Sequence, residues 1–204
     1  MNKIILKGVI RNLSYSHTIN EVEYDKADLI TSLKDGKEDI ISLRFKKFSN
    51  PGYKDGDEVY LVGNIRSYSE KISGDKNKVS LYVFTYFDIP EVDEAGEEII
   101  NKFELDGRIC KIDELRVTDS GKHNLHFILA NNIISKNQNQ KLNNYLPSCV
   151  WGKLAIECSD LKVSDKVSVK GQLHSRTYRK VLDNGEIEFR TAHELLIEEL
   201  TRID

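Results

Sequence analysis

Two glycine-centred segments occur twice in this chain, in the same order, and this repeat constrains the fold more than any other feature. Leu6-Lys7-Gly8-Val9-Ile10 matches Leu105-Asp106-Gly107-Arg108-Ile109, and residues 57–65 match residues 165–173. In the second pair, the Gly follows a leading Asp by six residues in both copies. A strand with an internal Gly usually bends or carries a bulge. Two such strands at matching places in each half predict one small β-structure present twice.

Alternating apolar and polar residues, separated by Asp-Gly, Asn-Pro-Gly, Ser-Gly and Asn-Gly turns, predict many short strands. These strands are expected at residues 40–45, 58–62, 79–84, 125–130, 148–151, 166–170 and 194–200. Each half then holds about five strands in roughly 100 residues, which is the size and strand count of an OB-fold. We therefore predict an all-β protein made of two tandem OB-fold barrels.

An acidic segment separates the two halves. Residues 88–98 contain six Asp and Glu side chains, no Lys or Arg, one Pro and one Gly. A block of like charge repels itself and stays solvated, as a linker does. We predict an N-terminal divergent OB-fold at 1–88, an acidic linker at 89–100 and a C-terminal OB-fold at 101–204.

One short helix is expected in the second barrel, between its third and fourth strands. Residues 153–161 place four small or apolar side chains on one helical face, which would plug the barrel. These side chains are Leu154, Ala155, Cys158 and Leu161. The matching stretch in the first half, residues 46–56, contains Pro51 and several Gly and Asn residues, so we expect a loop there.

The charge distribution bears on the kind of ligand. The net charge of −3 over 204 residues argues, taken alone, against a nucleic-acid binder. However, residues 1–87 carry 14 basic and 12 acidic side chains, and residues 99–204 carry 16 and 15. Each barrel is therefore mildly basic, and the acidity lies between them. So small a positive excess cannot hold DNA by bulk attraction, and a local groove of basic and aromatic side chains is required.

The three cysteines, Cys110, Cys149 and Cys158, form no CxxC pair, so neither a zinc ribbon nor a disulfide scaffold is indicated. The N-terminal residues run directly into strand-like sequence without the apolar core of a signal peptide. No stretch approaches the ~18 apolar residues of a membrane span. We expect a reduced, cytoplasmic protein that does not enter a membrane.

Catalytic motifs are lacking. The sequence contains neither a P-loop nor the HxE…PCxxC signature of deaminases. His123 and His126 are three residues apart in a predicted strand, so alternation would place them on opposite faces and they would not share a metal. We expect no enzymatic activity, no metal and no cofactor.

The second half, from residue 101 to about 200, resembles the bacterial single-stranded DNA-binding proteins (SSB). The matching segments follow the family's order: Asn101 to Ile109, Glu114 to Lys122, Phe127 to Asn132, Cys149 to Ala155, Gly171 to Tyr178, and His193-Glu194 with the apolar residues after it. The two-part layout is similar to a tandem SSB-like group of Gram-positive anaerobes, their phages and mobile elements. The segments shared with that group are Ser16-His17 to Glu23-Tyr24 and Arg66-Ser67-Tyr68.

The resemblance implies a stacking site for bases on the third and fourth strands of the second barrel. The matching positions are Tyr145, Trp151 and Tyr178, and aromatic side chains there would stack on exposed bases. The alternative is that these aromatics fill the core. Strand alternation argues against a core position for Trp151, because Val150 and Trp151 must point to opposite faces.

Basic candidates accompany these aromatics. Arg176-Thr177-Tyr178-Arg179-Lys180 interleaves basic and aromatic side chains, as combined stacking and phosphate contact requires. Lys153 and Arg190 are further candidates, and in the first half Arg66 precedes Tyr68. Residues 135–144 form a polar loop with Lys136 and Lys141, which either folds over the DNA, as the resemblance implies, or is a plain disordered loop.

We therefore expect a protein that binds single-stranded DNA with little sequence preference and protects it in replication, recombination or repair. SSBs with one OB-fold per chain assemble as tetramers, so the resemblance implies a homodimer with four barrels. Replication proteins are possible partners. The alternatives are a protein-interaction module of a replication or primosome complex and, less favoured, an oligosaccharide-binding OB-fold. The acidic tail typical of the family is not recognisable in the sequence, which puts recruitment through such a tail in doubt.

Overall fold

The computed structural model describes residues 1–32, 38–73, 76–87, 100–135, 140–182 and 185–203. Five strands come from the first half: β1 (Asn2–Ile19), β2 (Val22–Ser32), β3 (Glu38–Lys46), β4 (Glu58–Ser73) and β5 (Lys76–Thr85). Six strands and one helix come from the second half: β6 (Asn101–Ile112), β7 (Arg116–Val117), β8 (His123–Ser135), β9 (Gln140–Trp151), α1 (Gly152–Glu157), β10 (Lys166–Val181) and β11 (Ile187–Arg202).

Each half closes into a barrel with the same strand order. In the first half, β1 pairs with both β2 and β4, β2 pairs with β3, and β4 pairs with β5. The parallel pairing of β3 with β5 closes the barrel, with Leu43 opposite Val83. The second half repeats this order with β6, β8, β9, β11 and β10, and Ser148 opposite Leu195 closes it. This order in both halves confirms the predicted all-β pair of OB-fold barrels.

Alternation along the strands fills each barrel. In β3, Ile41, Leu43 and Phe45 are buried, while the residues between them reach the surface. The same period of two places Val167, Val169 and Leu173 of β10 inside the second barrel. Burying one such side chain contributes about 1.5–3 kcal/mol, which makes these interiors the main source of stability.

The helix is shorter than the sequence predicts. It spans Gly152–Glu157, and the chain continues in tight turns in which the Leu161 N–H donates to the Cys158 carbonyl. The predicted inward face is nevertheless present, because Ala155, Cys158 and Leu161 are buried and Leu154 is half-buried. In the first barrel the matching stretch holds a single 3-10 turn at Lys47–Ser49 and then a loop, as expected.

The prediction of a polar loop at residues 135–144 is wrong for residues 135 and 140–144, which lie in strands. Gln140 to Asn144 belong to β9 and pair with residues 131–135 of β8. Asn131 and Asn144 are buried and hydrogen-bond across the junction of the barrels, so a loop-like composition is compatible with strand structure here. Lys136 lies outside the described residues, as does almost all of the predicted linker at 89–100.

The two barrels are joined through their first strands. β1 and β6 pair antiparallel over five residues, with Ile4 opposite Phe103 at the centre. Ile4 and Phe103 occupy equivalent places in the two repeats, so the pairing is symmetric about this position. Asn2 and Asn101 show the same symmetry. Asn2 exchanges two hydrogen bonds of 2.8 and 2.9 Å with the backbone of Ile65, and Asn101 exchanges two of 2.8 and 3.0 Å with Leu173.

A second matched pair of contacts lies further from the centre of symmetry. The Ser67 N–H of β4 donates to the Asn144 side chain, and the Tyr145 N–H donates back to the Ser67 hydroxyl. In the reciprocal contact, the Ser175 N–H of β10 donates to the Asp39 side chain, and the Ile40 N–H donates back to the Ser175 hydroxyl. Ser175 and Asp39 are the equivalents of Ser67 and Asn144. The fourth strand of each barrel is therefore fixed to the third strand of the other.

Two equivalent glycines give a test of this packing. A Cβ at Gly8 would lie 2.4 Å from the Ile30 carbonyl oxygen, whereas a Cβ at Gly107 would lie 3.4 Å from its nearest neighbour. The Ile30 backbone cannot move away from an added Cβ as easily as the end of a flexible side chain could. We therefore expect Gly8→Ala to lower the free energy of unfolding by about 1–3 kcal/mol and Gly107→Ala to change it little. Urea denaturation of both variants measures the difference, and equal losses would contradict the packing.

Candidate nucleic-acid interface

Trp151 lies on the outer face of the second barrel. It is the last residue of β9, directly before α1, and its side chain is 41% exposed. Its neighbour Val150 is fully buried, so the alternation expected from the sequence holds. Trp151 is thus a surface side chain and does not fill the core.

Cys149 lies two residues before Trp151 on β9, and charged side chains of β10 and β11 act on its thiol. Burial, followed by the negative charge of Glu194, raises the pKa of the Cys149 thiol to about 12. The Trp151 side chain and the positive charge of Arg176 act on the same thiol in the opposite direction. Alternation places Cys149 and Trp151 on the same side of β9, and Glu194 of β11 and Arg176 of β10 are close enough for their charges to act on the thiol.

Arg176 and Tyr178 extend this surface along β10. The Arg176 guanidinium lies 5.9 Å from the centroid of the Tyr178 ring, and its Nε lies 3.9 Å from the Glu194 carboxylate. Tyr178 is half-buried opposite Arg190, whose guanidinium donates to Glu188 at 2.6 and 2.8 Å. These two arginines therefore face carboxylates, which offset part of their positive charge.

The remaining basic candidates of the second barrel are dispersed. Lys180 shares the face of Tyr178, whereas alternation places Arg179 on the opposite face of β10. Lys153 is almost fully exposed on α1 and pairs with Glu157 at 3.1 Å. Lys141 belongs to β9, but its side chain lies outside the described part of the chain.

Tyr145 lies at the junction of the two barrels. Its side chain is 46% exposed on β9, six residues or ~20 Å from Trp151 along the strand. Its backbone N–H donates to Ser67, which stands between Arg66 and Tyr68 in β4. The structure thus brings Tyr145 beside the Arg66–Tyr68 segment that the sequence singled out in the other half of the chain.

The outer face of the first barrel carries an arginine held between tyrosines. The Arg44 guanidinium lies 4.5 Å from the ring centroid of Tyr68 and 4.6 Å from that of Tyr82. The two ring centroids are 6.0 Å apart. Such cation–π contacts hold the arginine in place, and no carboxylate of the described residues forms an ion pair with it.

The aromatic contacts continue across the barrel. The Arg66 guanidinium lies 3.9 Å from the Phe84 ring centroid, Phe84 lies 6.3 Å from Tyr24, and Tyr24 stacks on His17 at 4.9 Å. We refer to this set as the arginine–aromatic ladder. Its members are Arg44, Arg66, Tyr68, Tyr82, Phe84, Tyr24 and His17.

Sequence reasoning identified Arg66 and Tyr68 of this ladder but not the partners that they meet. Arg44 and Tyr82 lie on strands whose parallel pairing is not encoded in any local pattern. The available signal was the aromatic residue at alternate positions of β5, namely Tyr82 and Phe84, followed by Tyr86 directly after the strand.

The equivalent positions of the second barrel carry different chemistry. The matched strand pairings place Cys149 where the first barrel has Arg44, and Glu194 where it has Tyr82. Arg176 then stands in the place of Tyr68. The first barrel therefore presents an arginine among aromatic rings where the second presents an arginine beside a carboxylate.

The part of the chain that the structure describes contains neither a metal-binding cluster nor a membrane-spanning helix. Among those residues, no three His, Cys, Asp or Glu side chains come together in a way that could hold a metal ion. No helix there has the length and apolar character needed to cross a bilayer.

The strand order, the two closed barrels and the aromatic outer faces define a tandem OB-fold protein. The model of the single-strand binding protein family matches residues 100–203, which is the whole second barrel and half of the chain. The chain belongs to the single-strand binding protein family.

The fold of the whole chain is similar to that of solved single-stranded DNA binding proteins from Thermus aquaticus. The wild-type protein covers the entire chain with a TM-score of 0.71 at 18% identity, and 93% of its own length is matched. A deletion mutant of that protein, which also carries R190A, gives the same TM-score and identity with 94% of its length matched. No curated protein matches the chain in sequence.

Thiol chemistry tests the surroundings of Cys149. Its pKa of about 12 leaves about one thiol in ten thousand ionised at pH 8, and burial also raises the pKa of Cys158. Only Cys110 is exposed. We expect a disulfide reagent at pH 8 to titrate one thiol in the folded protein, to titrate none quickly in Cys110→Ser, and to titrate all three in denaturant. Rapid modification of two thiols in the folded protein would contradict the placement.

Proposed function

We propose that the chain binds single-stranded DNA largely without sequence preference, with bases stacked on the outer faces of both barrels and phosphates held by nearby Lys and Arg. The observation that carries this proposal is that the second barrel, which exposes Trp151, belongs to the single-strand binding protein family. In the second barrel the proposed contacts are Tyr145, Trp151, Tyr178, Lys153, Arg176, Arg179 and Lys180, together with Lys136 and Lys141. In the first barrel they are Arg66 and Tyr68.

The physical basis is the same for every base. Each nucleobase has a flat π-face, and stacking on an aromatic side chain is worth ~1–3 kcal/mol per base whatever the sequence. Trp151 and Tyr145 expose aromatic surface to solvent, and neither is committed to the barrel interior. Aromatic surface of this kind supports binding without the base-edge hydrogen bonds that sequence reading requires.

The biological role follows from this mode of binding. A protein that covers exposed bases protects single-stranded DNA during replication, recombination or repair, and it needs no chemistry of its own. Family membership favours this role over that of a protein-interaction module that holds replication partners instead of DNA.

The single tryptophan provides the direct test. Titration with oligo(dT) is expected to quench Trp151 fluorescence, because a base stacked on the indole alters its environment. Binding should weaken with salt, with a log–log slope near −0.7 per phosphate contact. An absence of both quenching and binding at low salt would exclude the proposal.

Trp151→Ala is expected to weaken oligo(dT) binding by ~1–3 kcal/mol while the free energy of unfolding changes little, since the side chain is on the surface. Ile156→Ala is the matched control, because Ile156 is a similarly exposed apolar side chain on the adjacent helix. We expect the Ile156 variant to bind DNA normally. Equal losses in both variants would argue against stacking on Trp151.

We also propose that two chains associate into a homodimer with four barrels. Each chain already contains two barrels that are paired symmetrically through β1 and β6, so two chains would supply the four barrels that the resemblance to SSBs implies. Sedimentation equilibrium is expected to give the mass of two chains at micromolar concentration. A mass of one chain under these conditions would remove the dimer and leave DNA binding unaffected.

A further inference from the structure

We propose that the cleft between the two barrels holds one nucleotide of the bound strand, with its base on the Tyr68–Tyr82 pair and its phosphate near the surrounding cations. This inference rests on the proposed function and adds a site to it. The cleft is formed jointly by the outer face of the first barrel and the β10–β11 hairpin of the second.

The hairpin is firmly held in place over the first barrel. The buried Asp39 carboxylate accepts hydrogen bonds from the Ser175 N–H and hydroxyl at 2.7 and 2.9 Å, and one of its oxygens lies 3.0 Å from Nδ1 of His174. On β11, Nε2 of His193 donates to the Ile40 carbonyl at 2.7 Å. These contacts fix the wall that the second barrel contributes, in which Thr191 and His193 face the first barrel.

The cleft has the dimensions of a small-ligand site. Its volume is about 470 Å³, within the range of about 300–1,000 Å³ typical of such pockets. The second barrel contributes only Thr191 and His193 to its described lining, and the cleft is open to solvent, so a strand that runs along the barrel surface can enter and leave. A closed cavity would admit a free small molecule but not a nucleotide within a chain.

The aromatic part of the lining fits a nucleobase. Tyr68 and Tyr82 are 6.0 Å apart with an angle of 55° between their rings. A base between two parallel rings needs about 7 Å, because each contact takes ~3.5 Å. The base therefore cannot enter between the rings. Because the Arg44 guanidinium already covers part of both rings, we place the base on the ring surface that Arg44 leaves exposed to the cleft, which Thr191 also lines.

The charged part of the lining fits a phosphate. Lys26, Arg44 and Lys78 line the cleft, and Asp28 is the acidic residue among the described lining side chains. The Asp28 carboxylate already accepts a hydrogen bond of 2.8 Å from Asn12. Three cations and an aromatic pair in one cleft match a ligand that combines an anionic group with a flat ring. A base within a duplex is already stacked and paired, so the site selects unpaired nucleotides.

Filling the cleft from the second barrel tests the inference without removing any first-barrel contact. In Thr191→Trp, the larger side chain would occupy the proposed base position. Thr201→Trp is the matched control, because Thr201 is an exposed residue of the same strand, outside the cleft. We expect the Thr191 variant to bind oligo(dT) at least 10-fold more weakly than the Thr201 variant. Equal affinities in two folded variants would overturn the inference.

Photo-crosslinking of the unmodified chain gives an independent answer if Thr191→Trp does not fold. Oligo(dT) that contains 5-iodouracil is expected to crosslink to the peptides that contain Tyr68 or Tyr82, as read by mass spectrometry. Crosslinks at Trp151 or Tyr145 alone would overturn the nucleotide site and leave the proposed function standing. An absence of binding and crosslinks at low salt would overturn the proposed function itself.

Discussion

The antiparallel pairing of β1 with β6 is the constraint on which the rest of the molecule depends. The N-terminal part of β1 pairs with β4 on one side, and within its own barrel the other side would remain a free edge. The matching part of β6 pairs with β10 and has the same free edge. An unpaired strand edge is a template for association. Joining the two edges satisfies both at once and fixes the barrels in a symmetric arrangement.

This symmetric arrangement explains why each barrel is in contact with the hairpin of the other. Once Ile4 and Phe103 are opposite each other, β4 reaches β9 and β10 reaches β3, and the two serine contacts form in equivalent places. Backbone geometry is shared between the halves, but side-chain chemistry is not. Asp39 and Asn144 occupy equivalent positions in the two barrels. The Asp39 carboxylate also contacts His174, whereas Asn144 makes no equivalent contact among the described residues. The hairpin over the first barrel is therefore the more strongly anchored of the two.

Local patterns predicted those parts of the structure that depend on one strand or one helix. The glycine segments, the inward face of the helix and the outward position of Trp151 all follow from periodicity within a few residues. The arginine–aromatic ladder does not, because Arg44 and Tyr82 meet only through the parallel pairing that closes the barrel. The extension of β9 to Gln140 was missed for another reason. Asn, Gln and Lys in a row indicate a loop, but Asn144 is buried and accepts a hydrogen bond from the Ser67 N–H of the other barrel, a contact that only the tertiary structure shows.

The two outer faces use arginine differently, and this difference bears on how a nearly neutral protein can hold a polyanion. In the second barrel, Arg176 faces Glu194 and Arg190 faces Glu188. Each carboxylate holds its guanidinium in place and also offsets part of the positive charge. In the first barrel, aromatic rings position Arg44, and no carboxylate in the described part of the chain pairs with it. An aromatic partner thus provides two properties that a phosphate-contacting arginine needs: a fixed side chain and an uncompensated charge. In the first barrel, which the family model does not match, this geometry supports the part that we propose for Arg44 in holding a phosphate.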